Sequence, residues 1–554
     1  MSKKVLIVGG VAGGASAAAR LRRLDEQAEI IMLERDEHIS FANCGLPYYI
    51  GETIQERSKL LIQTPEAMKK RFNIDVRIFS EVIAIDGDNK TATIRSKDRG
   101  TYEESFDYLV LSPGAKPLVP PIPGIELPGI TSLRNIADTD RIKQLVDEKP
   151  IKQAIVVGGG FIGIEMAENL RERGIGVTVI EAAPHILAPY DTDMIAHAEQ
   201  ELKKHGVELV LGDGVASFTK NEQHQTEQIT VQLQSGSTLL ADLVILAIGV
   251  KPDTAFLQQS NVNLGAKGHI LVNEYMETNL AGVYAVGDAV EVTHFVSNQQ
   301  TAIPLAGPAN KQGRIAADNI AGLKSAYKGT QGSSIIKIFE LTGAATGMNE
   351  RMLQQLNQPY HVVHLHPASH ATYYPGASPI AMKLIFDYEG KILGAQAFGK
   401  DGVDKRIDVI ATVIRMQGTV EDLTELELCY APPYSSAKDP VNMAGYIAQN
   451  IVDERAVVFL PRDLADRDLD NTMLVDVRTP KEHNDGHIPG SISIPVDELR
   501  SRLDELDRDK EIWVYCQVGL RGYTALRILA QHGFIVKNLT GGYKSYTMSN
   551  FTLA

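Results

Sequence analysis

The sequence predicts a multidomain protein of the α/β class, and three observations predict it. Residues 4–34 and residues 153–181 each read as strand, glycine turn, helix and strand. A third α/β unit opens at MLVDVR, residues 473–478. A chain of 554 residues also exceeds what one hydrophobic core organises, so three or four domains are expected.

The first unit runs KVLIVGG, then VAGGASAAARLRRL, then EIIMLER. The second repeats the plan as QAIVVGGG, FIGIEMAENLRERG and VTVIE. Each is a Rossmann-like βαβ opening, which places nucleotide phosphates at a helix N-terminus. In the first turn Gly9, Gly10, Gly13 and Gly14 surround the expected pyrophosphate, although Val11 replaces the middle glycine of the usual fingerprint. Glu34 ends the second strand, where a carboxylate binds ribose hydroxyls, and Arg35 follows it. In the second turn the fingerprint is complete with Gly158, Gly160 and Gly163, and Glu181 ends its strand. An acid at that position accepts from a free 2'-hydroxyl and repels a 2'-phosphate, so NADH is expected over NADPH.

Composition limits the function classes. A hydrophobic fraction of 44% and a charged fraction of 22% are those of a globular protein. The net charge of -14 speaks against a general nucleic-acid or anionic-membrane surface, so anionic ligands need local basic pockets. No apolar run approaches the roughly 20 residues that span a bilayer. The N-terminus leads directly into strand Val5 to Val8, and a cytoplasmic location is expected. Three cysteines, Cys44, Cys429 and Cys516, are too few for a disulfide framework.

Three further segments, YLVLSPGAKPLVPPIPG (108–124), LVILAIGVKP (243–252) and GVYAVGDA (282–289), complete a pattern with the two glycine turns. Together they make residues 1–445 resemble the flavoprotein disulfide reductases built on two dinucleotide-binding domains. The resemblance implies that Asp288 binds the ribityl chain of FAD, adds Gly249 to the cofactor-binding residues, and sets Glu165 near the nicotinamide.

The segment SFANCGLPYYIG, residues 40–51, holds Cys44 with no second cysteine a few residues away. Its oxidised state must therefore involve a substrate thiol, a persulfide sulfur or oxygen. This pattern resembles the coenzyme A disulfide reductase branch, whose single cysteine pairs with coenzyme A. By that resemblance Ser40 and Asn43 flank the pantetheine, and the basic helix bearing Arg20, Arg22 and Arg23 meets the phosphates, with Arg20 and Arg23 as the candidates carried forward. ATYYPG and LCYAPPYSSAKDPVNMAG resemble its dimerisation domain, in which tyrosines from the partner subunit reach the cysteine. Tyr374 and Tyr430 are the expected pair, with Tyr373 and Tyr434 as core alternatives and Cys429 as a core residue.

MLVDVRTPKEHNDGHIPGSISIP and EIWVYCQVGLRGYTALRILAQHGF resemble a rhodanese domain. Strand VYC delivers Cys516 to a six-residue loop that Arg521 closes just before a helix, and inward backbone N–H groups would stabilise an anionic persulfide. The expected division is 1–150 with 251–325 for FAD, 151–250 for NAD, 326–450 for dimerisation, 451–465 as linker and 466–554 as rhodanese. The expected activity is NADH-dependent reduction of persulfides, polysulfides or coenzyme A disulfide through Cys44, with Cys516 supplying sulfane sulfur. FAD, NADH and coenzyme A are the expected ligands, no metal is expected, and the expected assembly is a homodimer with shared active sites. The alternatives are a coenzyme A disulfide reductase with an accessory rhodanese, an NADH oxidase or peroxidase, and a redox-sensing binding protein.

Overall fold

The computed structural model describes residues 2–221 and 228–551. These form two compact units, one of residues up to 186 with 206–332, the other of 187–205 with 333 onward.

The first unit contains the same architecture twice. One five-stranded sheet has the order Val283–Ala285, Tyr108–Leu111, Lys4–Val8, Glu29–Leu33, Asp75–Arg77, all parallel. The other has the order Val207–Leu211, Gly176–Glu181, Gln153–Val157, Leu243–Leu246, Ile130–Ser132, again all parallel. Each carries a three-stranded antiparallel ribbon, Ser80–Asp86 to Gly100–Ser105 inserted after Asp75–Arg77 and Val215–Lys220 to Thr238–Ala241 inserted after Val207–Leu211. Parallel sheets are covered on both faces, which is why Val5, Leu6, Ile7, Ala154, Ile155 and Val156 are consecutive apolar residues and fully buried. Helix Ala12–Leu24 lies against helix Ala306–Ile320 so closely that a Cβ on Gly313 would sit 2.2 Å from the Gly13 carbonyl.

The second unit holds an antiparallel sheet in the order Ser334–Ile338, Leu341–Gly347, Ile392–Gly399, Ile380–Phe386, His361–Leu365. Helices Val403–Arg415, Val420–Glu425 and Pro440–Val452 accompany it. A parallel sheet follows, in the order Val458–Phe459, Val536–Leu539, Glu511–Tyr515, Thr472–Asp476, Ser491–Ser493. The stretch expected as a linker, 451–465, therefore supplies this sheet with its edge strand Val458–Phe459.

A buried ion cluster ties the second unit together. Lys383 Nζ, fully buried, lies 3.0 Å from Asp191, 2.8 Å from Asp193 and 2.5 Å from Glu350. Arg462, just before the parallel sheet's first long strand, reaches Glu350 at 2.6 Å. The two cations hold the Glu350 carboxyl down at about 2 against the opposing effect of burial. The three carboxylates have the spacing of a metal-ligand set, but the Lys383 ammonium stands among them. Beside them His364 is buried and lies 3.0 Å from Asp193, and its backbone N–H donates to Thr540 Oγ1 at 2.7 Å.

Candidate active site

Both glycine turns are built alike. Gly9 and Gly158 end their strands at φ +92° and +112°, a left-handed region that L side chains rarely adopt. A Cβ on Gly14 would lie 1.9 Å from the Gly9 carbonyl, and one on Gly163 2.0 Å from the Gly158 carbonyl, so helix and turn meet only because both are glycine. Neither helix Ala12–Leu24 nor helix Phe161–Glu172 is capped by a side chain, which leaves its first N–H groups to a phosphate. A Cβ on Gly160 would meet nothing within 4 Å, so the second turn keeps an open face.

The two acids repeat one another as closely. Glu34 accepts from the Gly10 and Asp36 backbone N–H groups at 2.9 and 3.1 Å. Glu181 accepts from those of Gly159 and Ala183 at 2.7 and 2.8 Å. Each carboxylate is fixed at the turn with lone pairs remaining for ribose hydroxyls. Burial raises the Glu34 pKa despite those two donors.

A cavity of about 710 Å³ opens at the first turn. Gly9, Gly13, Glu34, Arg35, Asn43, Cys44 and Asp288 all line it. Arg35 and Lys116 converge on Asp253 at 2.6 and 2.7 Å, and Arg134 lies within electrostatic reach of Asp288. These cations stand among acids of the same lining, so the expected basic pocket is not found here and a phosphate falls to the N–H groups of the glycine turn. The groups fit FAD: uncapped N–H donors and a left-handed glycine for the pyrophosphate, Glu34 for the ribose, and Asp288 for a polyol chain. Arg134 and Asp253 were not singled out in the sequence, because nothing local in TSLRN or VKPD distinguishes them. Gly249, at φ +134°, accepts through its carbonyl from Leu118 N–H, between the strands joining the two nucleotide folds.

Cys44 is exposed on the cavity wall, in the short turn Asn43–Gly45. The protein crowded around its thiol pushes the pKa up, and the negative charges of Glu165 and Asp288 add to this. Glu165, one turn into the helix of the second nucleotide fold, is itself pushed up to about 7 by burial and by Glu168. Tyr48 hydrogen-bonds to Glu165, and burial with the surrounding acids keeps that phenol protonated. A neutral Glu165 therefore removes one of the charges that oppose a Cys44 thiolate.

The three arginines of the basic helix have different surroundings. Arg22 is buried and donates to five backbone carbonyls, those of Asp25, Glu26, Ala28, Phe72 and Asn73, so it is a structural clamp. Arg20 binds Asp318 through Nε at 2.6 Å, and Arg23 is exposed. Neither Arg20, Arg23 nor Ser40 lines the cavity. Ser40 instead adopts a left-handed backbone at φ +45° and donates its N–H to Gly10 O.

In the second unit the tyrosine hydroxyl that meets Tyr430 belongs to Tyr373, at 2.7 Å. Tyr374 packs edge-on against His370. Tyr373 and Tyr434 are 74% and 72% exposed, so neither is a core residue. Cys429 is likewise exposed, against the expectation of burial, because 426–439 is a surface loop with no regular element.

Cys516 is buried at the end of strand Glu511–Tyr515. The Gly519 N–H donates to its Sγ at 3.1 Å, and Gly519 holds φ +106° to make the turn. Arg521 does not precede the helix but is the second residue of Leu520–Gln531. Its guanidinium grips Glu482, whose carboxyl is held down to about 2 by that contact. Glu482 also closes a capping box with Thr479, a signal that was readable in TPKE.

Residues 3–313 match the family model described as pyridine nucleotide-disulphide oxidoreductase. The chain belongs to the pyridine nucleotide-disulphide oxidoreductase family. Further models match its dimerisation domain at 333–440 and a rhodanese-like domain at 461–549. Members of this family work with FAD and NADH. A coenzyme A disulfide reductase of Staphylococcus aureus (strain bovine RF122 / ET3-1) is 38% identical over 80% of this chain and all of its own length. The reduced Bacillus anthracis CoADR-RHD crystal structure is 54% identical, with a TM-score of 0.96 over 99% of this chain and 98% of its own. A NAD-dependent persulfide reductase from A. fulgidus is 36% identical, with a TM-score of 0.90 over 99% of this chain and 100% of its own. As a member of the pyridine nucleotide-disulphide oxidoreductase family, the chain carries the rhodanese-like unit as an addition beyond the family's own domains.

Proposed function

We propose that this protein is an NADH-dependent flavoprotein reductase of persulfides, polysulfides and coenzyme A disulfide, with a rhodanese domain that supplies sulfane sulfur. The observation that carries this reading is Cys44, the lone cysteine of the first unit, on the wall of a cavity that fits FAD. The similarity, along nearly the whole chain, to a CoADR-RHD and to a persulfide reductase supports it. FAD bound in that cavity would pass electrons from NADH to sulfur.

The Cys44 thiolate attacks the organic-group-bearing sulfur of R–S–S–H, the S–S bond breaks, and hydrosulfide leaves. The mixed disulfide Cys44–S–S–R is then cleaved by the two electrons and proton of one hydride equivalent, releasing R–S–H and restoring the thiolate. One NADH and one R–S–S–H thus give NAD+, R–S–H and HS−. Glu165 and Tyr48 set the charge around the thiol. On the rhodanese unit, a persulfide on Cys516 passes its outer sulfur to R–S−, giving R–S–S–H and the Cys516 thiolate, with Gly519 N–H holding the sulfur anion.

The dimerisation-domain match supports a homodimer, in which the Tyr373–Tyr430 pair of one subunit serves Cys44 of the other as a proton donor to the leaving sulfur. Arg20 and Arg23 stay as candidates for coenzyme A phosphates at the surface. Three free cysteines support a cytoplasmic setting, and among the described residues no helix is long and apolar enough to cross a membrane. The test is anaerobic NADH oxidation with coenzyme A persulfide, coenzyme A disulfide, polysulfide and glutathione persulfide. The proposal expects turnover with hydrosulfide release on the coenzyme A persulfide. It fails if oxygen alone supports full NADH turnover and no sulfur acceptor does.

A further inference from the structure

The two tyrosine-bearing loops of the second unit share one buried anchor. Arg406, on helix Val403–Arg415, is 1% exposed although it is a cation. Its Nη2 donates to the Ser369 carbonyl at 2.8 Å, to Asp439 Oδ2 at 3.0 Å and to Ser435 Oγ at 3.2 Å. Its Nη1 donates to the Gly402 carbonyl at 3.0 Å. Ser369 opens the loop that carries Tyr373, and Ser435 and Asp439 close the loop that carries Tyr430.

Further bonds make the anchor a cross-brace. Ser435 Oγ donates to Asp439 Oδ2 at 2.5 Å, and the Ala371 N–H donates to the Ser435 carbonyl at 3.1 Å. Asp439 Oδ1 accepts from Val441 N–H and so fixes the start of helix Pro440–Val452. The Tyr373 loop is pinched shut where the Ser369 N–H donates to the Ser378 carbonyl at 2.7 Å. Past these anchor points both tyrosines are exposed, yet their hydroxyls meet at 2.7 Å. Two exposed side chains on loops without regular structure hold such a contact only if their bases are fixed, and the bases converge on Arg406.

We infer that Arg406, acting through Ser435 and Asp439, is the positioning residue that sets the Tyr373–Tyr430 hydroxyl pair and thereby controls sulfur reduction at Cys44 of the partner subunit. This rests on the reading above, in which that pair serves the cysteine. Arg406 touches no substrate. A buried arginine braced to three acceptors on two loops fixes their geometry, and a lysine would offer a point charge in place of the planar fork.

The test uses the flavin-loaded dimer and five forms: wild type, Ser435→Ala, Arg406→Lys, the double variant Tyr373→Phe with Tyr430→Phe, and that double variant with Ser435→Ala added. Each is assayed for NADH-driven reduction of coenzyme A disulfide and, separately, of ferricyanide, which does not need Cys44. The phenol pair is also followed by tyrosinate absorbance against pH. Ser435→Ala should lower kcat on the disulfide by about tenfold, consistent with misplacement of a catalytic group, with KM for NADH and the ferricyanide rate unchanged. Its tyrosinate titration, taken as the difference from the same form lacking both phenols, should lose the upward shift that the Tyr430 hydroxyl gives Tyr373. Adding Ser435→Ala to the double tyrosine variant should cost nothing more. Arg406→Lys should behave like Ser435→Ala, and if it fails to fold the serine variant alone carries the test. The inference is overturned if Ser435→Ala keeps full disulfide turnover while the tyrosine variant loses it, or if the two losses multiply. If the tyrosine variant itself keeps full turnover, the shared-tyrosine reading falls and the positioning role falls with it.

Discussion

The guanidinium of Arg521 grips the Glu482 carboxylate through two hydrogen bonds, of 2.6 and 2.7 Å. The pair links the helix that starts in the Cys516 loop to the capping box at Thr479, and so fixes the loop from outside. Arg521 also lies within electrostatic reach of Cys516.

Replacing Arg521 by Lys breaks the two-pronged contact while keeping the charge. Sulfur transfer from thiosulfate to cyanide should fall about tenfold or more, in line with the loss of a preorganised charged donor. NADH-dependent reduction of coenzyme A disulfide should stay within about twofold of wild type, since in the proposed function that chemistry is assigned to Cys44. Parallel assays of the two activities check this.

We propose that Glu181 sets the choice of nicotinamide. Its oxygens are held by the Gly159 and Ala183 N–H groups, so the carboxylate cannot swing away from a 2'-phosphate. Wild-type kcat/KM should favour NADH over NADPH by about tenfold or more, and Glu181→Ala should shrink that ratio chiefly by improving NADPH. Steady-state kinetics with both nucleotides decide it.

The buried His364 makes the second unit sensitive to acid. Burial pushes its pKa down to about 4, against 6.5 for an ordinary histidine. The charges facing it are Asp193, which opposes that shift, then Lys383, Glu350 and Arg462. A depressed folded pKa means that stability is fully present above pH 6.5 and is lost as pH falls toward 4. The loss over that window is about 3 kcal/mol. Urea unfolding at pH 7.5 and pH 5 should show the part of this drop that falls between pH 6.5 and 5, about 2 kcal/mol, in wild type, and a smaller one in His364→Gln.

The parts of this molecule that were legible in the sequence are the local ones. Both glycine turns and their acids lie within one βαβ unit, where spacing fixes geometry, so Gly9, Gly158, Glu34 and Glu181 could be read directly. Cys44 and Cys516 likewise sit in short segments that carry their own context. What depends on packing between distant segments was not readable. Arg22 and Arg23 are neighbours in sequence, yet about 100° of helical rotation buries one as a carbonyl clamp and exposes the other. Tyr373 rather than Tyr374 meets Tyr430, because the loop anchors decide which of two adjacent phenols points across. Cys429 is exposed because its loop crosses the surface, which its apolar neighbours did not signal. The sequence does mark Arg406, which lies beside Val403, Ile407, Ile410 and Ile414 on the apolar face of its helix, where a cation must be buried and paired.

The central claim is that Cys44 reduces sulfur and Cys516 only feeds it. The most direct measurement compares Cys44→Ser and Cys516→Ser, each loaded with FAD, for anaerobic NADH oxidation with coenzyme A persulfide, while thiosulfate-dependent sulfur transfer is followed in the same preparations. Cys44→Ser should bind FAD, lose persulfide reduction and keep sulfur transfer. Cys516→Ser should lose sulfur transfer and keep reduction of the small persulfide. Full persulfide turnover in Cys44→Ser, or loss of that turnover in Cys516→Ser, would contradict the account.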